Sequence, residues 1–381
     1  MEANHSHKGT AKYISGEVHP FDQKNEVFKR ARWDPTLRAD AERFYSTVYP
    51  KNKKGYMLKD LALRHAAWYI EDAFAHGCRI HDSGLFSWET KTQDASCMPA
   101  DAKLEIHDTN KISQDIKKVA KLFGASLVGI TELDRRWIYS HTFNSVTHEY
   151  QKLEVPEKYQ YAVVMAFEMD HTLVGTSPTW LAEGTEGVEY SRMPFATSML
   201  AQFIRDLGYK AIPCGNDTAL SIPLAIDAGL GELARNGLLI TEEFGPRLRI
   251  AKVLTDLPLA PDKPADFGVT RFCEVCQKCA QNCPSQAIMH GERTTKPHNI
   301  SNAAGELKWP INAEKCFAFW ARNNGSCMNC IRVCPFNKPG GWLHDIVRWL
   351  VKDTPRLDSL LVKMDDLFGY GKQIKPDFWS E

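Results

Sequence analysis

A layered α/β (α+β) fold followed by a cysteine-rich module is predicted by three observations. Helix-period and strand-period segments alternate through the middle of the chain. Hydrophobic residues make up 43% of the 381 positions, with ten Trp, twelve Tyr and eighteen Phe, enough to bury a large core. Eight of the eleven cysteines crowd between positions 273 and 334. Dense cysteine in one segment of a long chain points to metal binding rather than to a disulfide scaffold.

The elements follow in chain order. Residues 1–105 form an N-terminal unit, polar at first, whose helix-like run "LKDLALRHAAWYIEDAFAHG" is closed by Gly77 as a C-cap. Residues 106–267 form the α/β core. It opens on the amphipathic "SQDIKKVAKLFG", continues through the strand-like "SLVGIT" and "YAVVMAFEM", and reaches the helix "PFATSMLAQFIRDLG" and the strand "YKAIP". The Pro/Asp-rich "LAPDKPADFG" marks a boundary before the cysteine region, 268–345, and residues 346–381 are a C-terminal tail.

Lys+Arg and Asp+Glu number 47 each, so no global field draws the chain to nucleic acid or anionic lipid, and no nucleic-acid partner is expected. The longest apolar stretches fall short of the ~20 residues that a membrane-spanning helix needs. The start, "MEANHSHKGT", lacks the basic-then-apolar pattern of a secretory leader. Gly229, Gly231 and Gly237 miss the G-x-G-x-x-G spacing of a dinucleotide site. Tight turns and close backbone approach to a bulky ligand are expected at Gly229 and Gly231 instead. Cys78, Cys97 and Cys214 lie outside the cysteine region and read as small buried apolar residues.

The cysteine region carries the sharpest signal. Cys273, Cys276, Cys279 and Cys283-Pro284 form C-x-x-C-x-x-C-x-x-x-C-P, the ferredoxin run in which three thiolates hold one [4Fe-4S] cluster and the fourth reaches the other. Cys316, Cys327, Cys330 and Cys334-Pro335 repeat it, with the first gap lengthened by "FAFWARNNGS". The swapped ligation assigns Cys273, Cys276, Cys279 and Cys334 to one cluster, and Cys283, Cys316, Cys327 and Cys330 to the other. Zinc also takes C-x-x-C pairs, but rarely three evenly spaced cysteines with a fourth before proline. Clusters fully ligated by cysteine pass single electrons, so another site must use them.

The order of motifs resembles the corrinoid-dependent reductive dehalogenases, the tetrachloroethene-type enzymes in particular. The resemblance runs from about residue 80 to 370 through "SLVGI", "EYSRM", "GYKAIP", "AGLGE", "FGPRLR", "TDLPLAPDKP", both cluster motifs and "MDDLFGYG". It implies a nitroreductase-like core holding a cobamide, either cobalamin or a norpseudo-type corrinoid, with no protein histidine beneath the cobalt. Consistent with that, no D-x-H-x-x-G motif occurs in the chain. It further implies a proton donor at Tyr190 of "EYSRM", with Met193 of the same segment near the cofactor, and helpers at Asn216 of "AIPCGND" and Arg249 of "FGPRLR". Arg247 is the rival for that last role. The pocket tryptophan falls on Trp320 of "FAFW", and a second aromatic wall falls on Phe86 of "GLFSWE", where the family has tryptophan.

The chemistry implied is replacement of C–X by C–H with two electrons and one proton. A phenol is neutral at physiological pH and can donate, and a nearby Arg249 would lower its pKa and stabilise the tyrosinate. The resemblance also implies a small organohalide substrate, a low-potential electron donor, a membrane-anchor protein, a homodimer and the exoplasmic face of the cytoplasmic membrane. A cytoplasmic member is the other localisation. Two alternative functions are an epoxyqueuosine reductase-like tRNA-modifying enzyme, which shares the cobalamin and cluster motifs, and a ferredoxin-like electron carrier. The first has an aspartate where this chain has Tyr190, and the second predicts no corrinoid.

Overall fold

A computed structural model describes residues 9–75, 84–89, 99 and 102–380. Gly77, Cys78 and Cys97 lie outside the described residues. The helix expected in the N-terminal unit is present as α1 (Leu58–Ile70) and runs on into a π-helical turn, Glu71–Ala75. The Asp60 side chain accepts from the Met57 backbone N–H and closes the start of α1.

The core is a four-stranded sheet between helical layers. An amphipathic helix, α2 (Thr109–Leu122), capped by Asp108, leads into β1 (Leu127–Glu132), and β2 (Tyr161–Glu168) follows. Then come α3 (Trp180–Asp206), β3 (Ala211–Cys214), α4 (Ser221–Asp227) and β4 (Leu248–Thr255). The strand order is β1-β2-β4-β3, and every pairing is antiparallel. Both faces are covered, which is why "YAVVMAFEM" is apolar without interruption. Ala162, Val164 and Ala166 pack with Leu224 and Ala225 of α4. Val163, Met165 and Phe167 pack with Ile116 of α2 and Leu200 and Ile204 of α3. Pro213 sits on the edge strand β3, where a missing N–H is tolerated.

The expected helix "PFATSMLAQFIRDLG" is real but begins much earlier, at Trp180 behind its N-cap Thr179, so that Pro194 lies inside α3 rather than at its first turn. Pro194 has no N–H to give the Tyr190 carbonyl four residues back. Burial on many sides of the segment, from Trp180 and Leu181 to Glu189, outweighs that loss. "EYSRM" is therefore helical.

Beyond the linker, α5 (Val269–Val275), α6 (Ala313–Asn323) and two short helices carry Cys273, Cys316, Cys279 and Cys330, and the other four cysteines of the region lie outside helices. The C-terminal segment forms α7 (Trp342–Asp353) and α8 (Asp358–Leu367), and α8 packs on α5. From there the chain crosses back to the core. Ile374 N–H donates to the Gly175 carbonyl at 2.8 Å, and Trp379 Nε1 donates to Asp60 Oδ1 at 2.8 Å at the start of α1. Cys214 is fully buried in the core and behaves as a small apolar residue.

Candidate functional site

Helix α3 presents Glu183, Glu186 and Tyr190 at spacings of three and four, hence on one face. All three line a cavity of about 1250 Å³. Arg64 and Trp68 of α1 and Glu71 of the π-helical turn form the adjoining wall, Asn216 enters from the loop after β3, and Trp320 enters from α6. The volume exceeds the roughly 300–1,000 Å³ of pockets for drug-sized ligands.

Tyr190 is held on three sides. Asn216 Nδ2 donates to Tyr190 Oη at 2.8 Å, the Trp68 ring stacks on the Tyr190 ring at 4.8 Å and 23°, and the Arg249 guanidinium lies 5.5 Å from the ring centroid. Asn216 is itself steadied by Tyr139, whose hydroxyl donates to the Asn216 carbonyl at 3.2 Å. Because the amide N–H is spent on the phenol oxygen, the phenolic proton stays available for another acceptor.

Arg249, from β4, donates through Nη2 to Glu186 Oε1 at 2.6 Å, with both side chains largely out of water. Arg249 acts on Tyr190 in the expected direction, but it is not the largest influence there. Burial pushes the Tyr190 phenol above its ordinary value of 10; Arg249 and the Asn216 hydrogen bond lower it, while Glu186 and Glu71 raise it. The arginine opposes the shift without reversing it, because burial outweighs it and a carboxylate adds to the rise. Arg247 points elsewhere. Its guanidinium contacts Glu168 and donates to Asn337 Oδ1 at 3.0 Å and to the Met169 carbonyl at 2.8 Å.

Other expected residues are placed away from the cavity wall. Phe86 is fully buried, with its ring against Gly215, where an added Cβ would stand 2.8 Å from it. It supports the Asn216 loop from behind. Met193 is buried among the residues between α3 and the sheet. Gly229 and Gly231 do sit at close approaches, but to the chain's own backbone. A Cβ there would stand 2.4 Å from the Lys263 carbonyl oxygen and 2.1 Å from that of Ile240. Gly237, not Gly229 or Gly231, reaches the cavity.

The residues that sequence reasoning missed are Trp68, Glu71, Glu183 and Glu186. Glu183 accepts from Arg64 Nε at 2.9 Å and from the Ser326 N–H at 3.1 Å. Burial pushes the Glu71 carboxyl up to about 8. The polar Glu183–Glu186–Tyr190 stripe on an otherwise buried helix was a readable signal.

The cysteines gather in two adjoining groups. Cys273, Cys276, Cys279 and Cys334 line one small void together with Arg235, Phe272 and Phe336. Buried Arg235 braces the first ligand run by donating to the carbonyls of Cys273 at 2.7 Å and Cys276 at 3.1 Å. Cys283, Cys316 and Cys330 pack in a second group that Cys279 also joins, and Cys327 acts electrostatically on Cys316 and Cys330. Burial holds the thiols up, Cys276 to about 11 and Cys334 to about 12, and Cys276 adds to the shift of Cys334. Iron cations would supply the missing counter-charge, so both sets fit [4Fe-4S] clusters.

The larger cavity fits a corrinoid on a separate observation. Several of its lining residues carry buried polar atoms without a protein partner: Trp68 Nε1, Trp320 Nε1, Glu186 Oε2 and Ser326 Oγ. A broad macrocycle rimmed with amide groups would give such atoms hydrogen bonds.

Comparisons with known proteins bear on both sites. A model of a 4Fe-4S double cluster binding domain matches residues 272–337. The tetrachloroethene reductive dehalogenase of Sulfurospirillum multivorans is 37% identical over 348 residues, covering 84% of this chain and 70% of that protein. That of Dehalobacter restrictus is 38% identical over 332 residues, covering 77% of this chain and 60% of that one. The epoxyqueuosine reductase of Lactococcus garvieae is 26% identical over 148 residues, covering 35% of this chain and 36% of that one. Among solved structures, a catabolic reductive dehalogenase superposes with a TM-score of 0.73 at 22% identity, over 95% of this chain and 48% of that one. This chain thus spans between about half and 70% of the length of these dehalogenases.

Proposed function

This chain belongs to the corrinoid- and iron–sulfur-dependent reductive dehalogenases, and on that premise we propose that it replaces a carbon-bound halogen by hydrogen on a small organohalide. The observation that carries the proposal is the Tyr190–Asn216 contact at the wall of a cavity large enough for a macrocycle. When bound, the corrinoid supplies a strongly reducing metal centre, reloaded one electron at a time through the clusters.

The chain's own residues do the rest. Tyr190 holds a proton at Oη, and Asn216 fixes that oxygen so the hydrogen points away from the amide. Proton transfer to the substrate carbon leaves a phenolate, on which Arg249 acts favourably with its guanidinium 5.5 Å from the ring centroid. Glu186 keeps the guanidinium in place. Trp68 and Trp320 form aromatic walls that exclude water and suit an apolar substrate.

The same membership supports a low-potential electron donor, a membrane-anchor partner at the exoplasmic face and a homodimer. No helix among the described residues is long and apolar enough to cross a membrane. The working division is an N-terminal unit to 105, a corrinoid-binding core at 106–267, a two-cluster module at 268–345 and the remainder to 381.

The test is an anaerobic assay of the cobamide- and iron-loaded protein with reduced viologen against chlorinated, brominated and fluorinated compounds, with halide release as the readout. Halide release that depends on the corrinoid is expected. A fully loaded protein that releases none, or one that binds tRNA at micromolar affinity in a salt-sensitive way, would overturn the proposal.

A further inference from the structure

The segment "MDDLFGYG", residues 364–371, has no part in the large cavity, yet it closes over one set of cluster cysteines. Asp365, at the end of α8, is 7% exposed and bonds two lysines at once. It pairs with Lys278 Nζ, and its Oδ1 lies 2.5 Å from Lys338 Nζ. Lys278 also reaches Asp366 Oδ1 at 2.7 Å. Both lysines are buried, at 5% and 8% exposure. Lys278 stands between Cys276 and Cys279, and Lys338 lies four residues after Cys334. The Lys338 ammonium rests 3.7 Å from the Tyr370 ring centroid. Gly371, at φ +80°, lies so close that a Cβ would stand 2.8 Å from Val333 Cα, directly before Cys334.

Such an arrangement is a poor way merely to hold a helix down. Burying three charged groups carries a desolvation cost that well-packed apolar side chains would avoid. α8 already has another anchor, the Arg271–Asp358 pair at 3.0 Å. What the buried groups share is proximity to the loops that supply the thiolates of a single cluster. Two ammonium groups face one buried carboxylate beside it, while the second carboxylate, Asp366, is largely in water and its charge is more screened than theirs. One-electron reduction adds one negative charge to a cluster and breaks no bond, so a fixed charge nearby in low dielectric acts directly on its potential.

We propose that Lys278, Asp365 and Lys338 are positioning residues that set the reduction potential of the cluster held by Cys273, Cys276, Cys279 and Cys334. The proposal rests on the two-cluster reading and is independent of which substrate the corrinoid site takes.

The experiment uses the full chain loaded with iron and sulfide, titrated with reductant under electron paramagnetic resonance. In Asp365→Asn, the removal of a negative charge shifts one cluster to a higher potential. In Lys338→Gln the same cluster shifts to a lower potential. The other cluster stays put in both, and Asp365→Glu titrates as the parent does. Loaded variants with unmoved potentials, or with both clusters moving together, overturn the inference. Should Asp365→Asn fail to fold, Lys338→Gln alone decides. Iron content is read in the same samples. Absent clusters would count against the two-cluster reading, and loaded clusters with unchanged potentials against this inference alone.

Discussion

Asn216 Nδ2 donates to Tyr190 Oη at 2.8 Å, and the direction of that bond decides what the phenol can do. A phenol that accepts from an amide keeps its own hydrogen for a third party, whereas one donating to a carbonyl would already have committed it. Trp68 against one side of the ring and Arg249 toward it leave Tyr190 little freedom to turn away. Under the proposed function the pair is preorganised for donation into the cavity.

Tyr190→Phe removes one oxygen and leaves the ring stack intact. Dehalogenation should fall by about 10²–10⁴-fold, the range ordinarily supplied by a positioned general acid. Cobalt and iron content should match the parent. Halide release at the parental rate would remove Tyr190 from the mechanism.

The pH profile follows from the environment of Tyr190. Burial raises the phenol above 10, so its protonated form persists further into alkali than for a free tyrosine, and the alkaline limb of kcat/KM should lie above pH 10. Glu186 contributes to that rise. Glu186→Gln removes the carboxylate and leaves Arg249 unopposed, so the limb should move to lower pH. A limb that stays put or moves upward in this variant would show that the proton comes from elsewhere.

What the sequence disclosed and what it concealed divide along physical lines. The cysteine sets were readable because ligand spacing within a loop is fixed by the chain itself. Strands β1 and β2 were readable because unbroken apolar runs bounded by turns leave few other structures. The start of α3 was hidden by Pro194, which is as consistent with a helix start as with a helix interior when only local preference is weighed. Trp68 was missed, and Phe86 expected at the wall, for another reason. Which aromatic reaches the cavity depends on how α1 packs across α3, and no spacing along the chain encodes that. Glu186 was legible in principle, seven residues after Thr179 and four before Tyr190, but it stood in the shadow of the tyrosine.

The assignment of thiolates to clusters offers the sharpest separation of outcomes. Cys334 lies 55 residues beyond Cys279, yet the two line one void with Cys273 and Cys276. Cys330, only four positions before Cys334, does not line that void and packs with Cys283 and Cys316, in a group that Cys279 also joins. Sequence neighbours are thus predicted to serve different clusters, as the ferredoxin motif implies. Alanine at any one ligand leaves one cluster a thiolate short, so iron should drop from about eight to about four per chain. Cys334→Ala and Cys273→Ala should abolish the same paramagnetic signal, while Cys330→Ala and Cys283→Ala should abolish the other. If Cys334→Ala instead silences the signal lost in Cys330→Ala, the two runs each hold their own cluster. The Lys278–Asp365–Lys338 group would then border thiolates of both clusters, and its selectivity for one would be lost with the assignment.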